Sequence, residues 1–378
     1  MIVYFDNAAT TRVRDEAAAA ALQAMREEYG NPSSSHIMGR SAAALLADAR
    51  KYAADALGAQ PDEIVFTSGG TEADNWAVRG AAGTLPRKGR HIVTSTIEHE
   101  AIIQPLKELK APDWEITYLT PDSAGRIPAG DFAAALRSDT VFASIMLVNN
   151  ETGAVNPLRD YAMEIKRRGL ETVLHTDAVQ GFCKIPFTVK ELGADLVTVS
   201  SHKIHGPKGA GALYIKKGIK LPPLMLGGGQ ENGKRSGTEA LPAIAGFGEA
   251  IRLGKPELGE TAAFIRKLRE YTADRLAAEI PESVTIGAGD SPYILSISLP
   301  GYKSEVLMNF LEAEGIYVSK SAACKKGARS RVLEAMRLNN GIIDGALRIS
   351  FSRYSTMDEA EYFIQTLKKA SRTLLKSL

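Results

Sequence analysis

Runs of apolar and β-branched residues recur through the first part of the chain with room for a helix between most of them, and this alternation constrains the fold more than any other feature. They lie at Ile64-Val65-Phe66, His91-Ile92-Val93, Glu115 to Leu119, Val141 to Val148, Thr172 to His175, Leu196 to Val199 and Ala212 to Ile215. Strands separated by helices predict an α/β fold with a mostly parallel sheet covered on both faces. Ligands of such sheets gather beyond the carboxyl ends of the strands. The polar segments SGGTEADN, EHEAI, NNETG, DAVQ and SSHK fall at those ends.

The pattern changes after residue 240. A long charged helical stretch from about Pro256 to Glu279, with little in it that would break a helix, can serve as a connector. Short strands follow at Ile294 to Leu299, Ile316 to Ser319 and Ala346 to Phe351, with helices at Ser304 to Glu314 and Met357 to Lys369. The expected organisation is a large domain over residues 1–255 and a smaller α+β domain over 256–378, with residues 1–14 free to pack against the smaller one.

Composition removes several classes of function. The 378 residues are 44% hydrophobic and 24% charged, an ordinary globular balance with enough apolar surface for two domains. Lys+Arg 46 against Asp+Glu 44 leaves a net charge of +2, which favours neither nucleic acid nor an anionic membrane as partner. The start MIVYFDNAATT is too short and polar for a signal peptide, and no apolar run has the length of a membrane span, so a soluble cytoplasmic protein is expected.

The chain has two cysteines, Cys183 and Cys324, in no CxxC or Cys/His pattern, so no metal site is expected. Cys183, between Phe182 and Lys184-Ile185-Pro186, reads as a small buried hydrophobe. Cys324 lies in SKSAACKKGARS, with almost nothing apolar to bury it and with Lys325, Lys326, Arg329 and Arg331 nearby to favour its thiolate.

Lys203 sits in VTVSSHKIHGPKGAGALYI, after an apolar strand and beside small polar groups. That arrangement suits either a solvated surface lysine or an amine that carries pyridoxal phosphate as a Schiff base. The Ser68-Gly69-Gly70-Thr71 turn leaves free backbone N–H groups and a hydroxyl for an anion, or is simply a tight connection. Asp177 ends a strand in an otherwise apolar neighbourhood, where a carboxylate needs a cationic partner such as a protonated pyridine nitrogen. His99 reads either as a helix cap or as an imidazole that stacks on the cofactor and moves protons. Gln180 and Asn150 are neutral amides able to hydrogen-bond a phenolic oxygen and a substrate carboxylate.

The ordered series YFDNAATT, GNPSSSH, FTSGGTEADN, EHEAI, VNNETG, HTDAVQ, SSHKIHGPKG, GGGQENGKRSGT and LRISFSRYST resembles the cysteine desulfurases of the class V aminotransferase family, the NifS-like and IscS-like enzymes. The resemblance implies a fold type I pyridoxal-phosphate enzyme whose larger domain holds the cofactor and whose smaller domain carries a catalytic cysteine. It implies Lys203 as the Schiff-base lysine, with Gly70, Thr71, Ser200 and His202 at the phosphate, Asp177 at the pyridine nitrogen, Gln180 at the phenolic oxygen and His99 on the ring. Asn150 would lie beside cofactor and substrate, Arg348 would hold the substrate carboxylate, and Thr238 would reach the phosphate of the neighbouring subunit in a homodimer. Cys324 matches the catalytic cysteine, although Lys320-Ser321-Ala322-Ala323-Cys324 replaces the usual Ser-Gly-Ser-Ala-Cys run and restricts the backbone by losing a glycine.

The implied reaction converts L-cysteine to L-alanine and leaves a persulfide on Cys324 for a sulfur-acceptor protein, either an iron–sulfur scaffold or a tRNA- or cofactor-thiolating enzyme. Alternatives within the resemblance are a selenocysteine lyase, another class V enzyme, or an inactive pyridoxal-phosphate-binding scaffold in a sulfur-transfer complex.

Overall fold

The computed structural model describes residues 1–85, 89–109, 113–320 and 329–376. Seven of the apolar runs form one sheet in the spatial order Ile64–Thr67, Gly211–Ile215, Leu196–Ser200, Val173–Asp177, Thr140–Ser144, His91–Ser95, Glu115–Leu119. Only Gly211–Ile215 runs antiparallel to its neighbours; every other pairing is parallel. Alternate side chains enter opposite cores, as the two-residue period of a strand requires. Ile64 and Phe66 join a core with the Ile37–Leu57 helix, whereas Val65 joins Trp76 and Ala77 on the other face.

Glu115–Leu119 lies to one side of His91–Ser95, and the chain then crosses back to place Thr140–Ser144 on the other. Such a reversal opens a crevice at the carboxyl ends of the strands. The expected strand from Val141 to Val148 stops as a ladder at Ser144. Beyond it the backbone is irregular but stays tied to the neighbouring strand, with Leu147 N–H donating to Asp177 O at 2.9 Å. Asn149 then turns the chain into the crevice, its Oδ1 accepting from the N–H groups of Glu151 and Thr152 at 2.9 and 3.0 Å.

A second core surrounds the antiparallel sheet Ser319–Lys320, Ala346–Ser350, Ile294–Ser298, Val284–Ile286. Val3 and Phe5 belong to this core, and Val3–Tyr4 pairs in parallel with Ile316–Tyr317. The helix expected to begin at Pro256 instead runs unbroken over Leu241–Glu279. Proline inside a helix forfeits a hydrogen bond. Here Phe247, Ala250 and Ile251 are buried in the first core and Ile265, Leu268 and Leu276 in the second, so burial on both sides of Pro256 carries the helix through it.

Candidate active site

The two sheets meet around the N-terminal segment. Asn7 Nδ2 donates to Ser350 O at 2.9 Å, and Thr11 N–H donates to His202 O at 3.0 Å. The carbonyls of Ala8 and Ala9 are thereby held beside Lys203, whose Nζ donates to both at 2.6 Å. Burial, then the Arg348 charge, brings this amine down to about 8, so a useful fraction is uncharged near neutral pH.

Lys203 opens onto a cleft of about 890 Å³ at the carboxyl ends of the strands. Gly70, Thr71, His99, Asn150, Asp177, Gln180, Ser200, His202 and Arg348 line it with Lys203, so these sequence-singled residues are brought together. The Gly70–Thr84 helix aims its N-terminus at one end of the cleft, giving free N–H groups for an anion. A Cβ at Gly70 would come 2.8 Å from Val179 Cγ2, which reserves that approach for glycine. The buried Ser200 Oγ beside it has no hydrogen-bond partner among the described residues. A buried hydroxyl without a partner is rare and leaves a donor for an anionic group. His202 Nδ1 pairs with Thr10 Oγ1 at 3.2 Å, and burial and then the Lys203 charge bring its imidazole down to about 4.

Asp177 is not in the apolar neighbourhood the sequence suggested. Asp74, from the second turn of the Gly70–Thr84 helix, lies fully buried beside it, and Glu98 adds a third carboxyl to the cleft. Desolvation and the Asp177 charge push Asp74 well above the carboxylate range, so Asp74 keeps its proton, while Asp177, raised less by burial, is the member of the pair that ionises. Buried His175, held by Ser144 Oγ at 2.8 Å and Thr198 Oγ1 at 3.1 Å, is brought down to about 3 by desolvation and stays neutral. The pair therefore offers one anion, on Asp177, suited to a protonated pyridine nitrogen.

His99 caps the Glu100–Glu108 helix, its Nδ1 accepting from Ala101 N–H at 3.2 Å. In the neutral ring that leaves the proton on Nε2, so capping and a role in the cleft are compatible. Arg348 is buried at 2% exposure; Nη2 donates to Asp6 Oδ1 at 2.8 Å, Nη1 to Asn150 O at 3.0 Å, and Nε lacks a partner among the described residues. Glu151 sits nearby against Ser330 Oγ, its carboxyl pushed up to about 7 by burial.

Thr238 is exposed and does not line the cleft. Cys324 lies outside the described residues. The structure adds Asp74, Glu98 and Glu151 to the cleft. Asp74 was detectable as an acid within the stripe Ala73, Asp74, Ala77, Val78, Ala81, which helical spacing buries.

The class V aminotransferase model matches residues 3–363. The chain belongs to the class V aminotransferase family. It is 40% identical over 376 residues to the cysteine desulfurase IscS of Methanosarcina thermophila, covering 98% of this chain and 92% of that one. It is 39% identical over 371 residues to the cysteine desulfurase IscS of Dictyoglomus turgidum, covering 97% and 94% respectively. A solved NifS-like protein superposes with a TM-score of 0.93 at 38% identity, over 99% of this chain and all of the other. This is the fold type I architecture of pyridoxal-phosphate enzymes, and the free Ser200 hydroxyl, the helix N-terminus, Asp177 and Lys203 fit that cofactor.

Proposed function

We propose that this class V enzyme is a cysteine desulfurase that moves the sulfur of L-cysteine to Cys324. The observation that carries the reading is Lys203, an amine brought down to about 8 at the base of a cleft it shares with Asp177 and the buried Arg348. Full-length likeness to two relatives named cysteine desulfurase supports the choice of substrate.

Pyridoxal phosphate, when bound, supplies an electron sink for the bonds at the substrate's α- and β-carbons. Gly70, Thr71, Ser200 and His202 would hold its phosphate, Asp177 its ring nitrogen and Gln180 its phenolic oxygen, with His99 over the ring. Lys203 attaches the cofactor, then removes the substrate α-proton once its amine is free. Arg348 and Asn150 orient the substrate carboxylate, and the partnerless Arg348 Nε leaves a donor for it. The Cys324 thiolate attacks the substrate sulfur; an S–S bond forms as the C–S bond breaks, and the electron pair left on carbon takes a proton to end as the methyl group of alanine. The enzyme persulfide then passes to an acceptor protein for iron–sulfur clusters or thiolation.

A homodimer completes this reading. Thr238 cannot serve the cleft of its own chain from its exposed position, but a two-fold interface would bring it to the partner's phosphate. Met25, Tyr29, Ile37 and Leu226 are 59%, 70%, 68% and 88% exposed, apolar surface of the kind a second copy would cover. We place the enzyme in the cytoplasm; among the described residues no helix is long and apolar enough to cross a membrane. The test is product analysis with L-cysteine and a reductant. Alanine and sulfide should appear in equal amounts, and a Cys324→Ser variant should yield little of either; alanine without sulfide, or unchanged turnover in the variant, would refute the proposal.

A further inference from the structure

Lys184 is a buried cation-forming group that the reaction above does not use. Its side chain is 6% exposed, and among the described residues no carboxylate pairs with it. The charged groups that act on it are Lys203 and Arg348, both of like sign. Burial and then the Lys203 charge bring it down to about 7, so an amine is kept there near its neutral form, without a counter-ion.

Its geometry is specific. Nζ donates to Gln180 Oε1 at 3.1 Å, one helical turn back in sequence, and lies 5.7 Å from the centre of the Tyr293 ring. The residue before it, Cys183, takes φ 52, a left-handed conformation that an L-residue enters at a cost. Gln180 itself is buried at 6% exposure, and its Nε2 donates to Ala8 O at 2.9 Å, the same carbonyl that accepts from Lys203. An amide NH2 has two hydrogens, so one remains for another acceptor. Only a donor can face Ala8 O, which leaves the Gln180 amide a single orientation with Oε1 towards Lys184.

We propose that Lys184 is a positioning residue for the cofactor: by donating to Gln180 Oε1 it anchors and polarises that amide so that the second Nε2 hydrogen is presented to the phenolic oxygen. This rests on the assignment of Gln180 to that oxygen. Hydrogen bonds in series strengthen one another, and without Lys184 the buried Oε1 is left unsatisfied and the amide loosens.

The readout is the visible absorption of the holoenzyme as a function of pH, at saturating pyridoxal phosphate and without substrate. The pH midpoint reports the proton on the nitrogen that joins Lys203 to the cofactor. Losing that proton makes the phenolic oxygen more negative, so a donor at that oxygen favours the deprotonated form and lowers the midpoint. Lys184→Met should raise the midpoint by roughly 0.5–1 pH unit, the effect of weakening one charge-assisted hydrogen bond. Gln180→Ala should raise it by at least as much, and adding Lys184→Met to Gln180→Ala should change it no further. Lys184→Arg, which keeps a donor, should lie nearer the wild-type midpoint than Lys184→Met does, and keeps the inference testable if the methionine variant does not fold.

A wild-type midpoint in Lys184→Met, or shifts that add in the double variant, would overturn the inference while leaving Gln180 in place. A wild-type midpoint in Gln180→Ala would remove the Gln180 assignment and this inference with it.

Discussion

Removing Arg50 should destabilise the fold far more than a surface arginine would, because it strands a carboxylate. Glu231 lies in the GGGQENGKRSGT loop, with its side chain 2% exposed. Its Oε1 accepts from Arg50 Nη2 at 2.6 Å, and its Oε2 from Arg50 Nη1 at 2.7 Å and from the buried Phe66 N–H at 2.9 Å. The guanidinium also sits 4.8 Å from the centre of the Phe66 ring. Arg50→Met leaves the carboxylate with one backbone donor, and breaking a buried pair from one side costs about 3–5 kcal/mol. Replacing both partners removes the stranded charge and leaves mainly the unpaired Phe66 N–H, worth about 1–3 kcal/mol. Arg50→Met/Glu231→Met should therefore be more stable than Arg50→Met alone by about 2 kcal/mol. Urea denaturation followed by circular dichroism, at one fixed pyridoxal phosphate concentration, measures this. A loss below about 1 kcal/mol for Arg50→Met, in the range of surface ion pairs, would refute the reasoning. So would a double variant whose loss is the sum of the single ones.

Lys203→Ala should bind pyridoxal phosphate without covalent linkage and lose the visible band of the purified protein; retention of that band would place the linkage on another amine. Cys183 is half-buried rather than fully buried as the sequence suggested, and it should resist a thiol reagent at pH near 8 in the folded protein because desolvation pushes its thiol up to about 12; labelling as rapid as in the urea-unfolded chain would contradict that shift. Glu98 is pushed up to about 8 by desolvation against an ordinary 4.5, so the folded state holds a proton that the unfolded state releases. Its contribution to stability falls as pH rises from about 4.5 through about 8. Glu98→Gln, which can still accept from Ser95 and Met146, should thus gain stability relative to wild type between pH 5 and pH 8.5; a pH-independent difference would show that Glu98 titrates normally.

The strand pattern and the polar segments at the strand ends were legible because both follow short-range rules, whereas the roles of Ser200, His202 and Arg348 came only from the family resemblance. Two-residue alternation at Ile64-Val65-Phe66 fixes which face each side chain takes, and polar segments at strand ends locate the crevice. What the sequence concealed depends on chain segments far apart meeting. The Ala8 and Ala9 carbonyls carry no side-chain signal, yet they receive Lys203 from 195 and 194 residues away. Asp177 looked solitary because Asp74 reaches it from a different element, and no local pattern ties the two. The charged stretch was read as beginning near Pro256, whereas the helix already runs from Leu241 and continues through the proline where two cores bury its flanks. Thr238 is exposed whereas Glu231 of the same loop is buried, a contrast that composition does not reveal.

The central claim is that sulfur leaves L-cysteine onto one named thiol. The enzyme, loaded with pyridoxal phosphate and mixed with limiting L-cysteine in the absence of any reductant or acceptor, is digested under conditions that preserve persulfides and mapped by mass spectrometry while alanine is quantified in parallel. A gain of one sulfur atom on the peptide containing Cys324, matched by one alanine per modified chain and with Cys183 unmodified, is the expected result. Alanine formed without sulfur on Cys324, or sulfur found on Cys183 instead, would contradict the account.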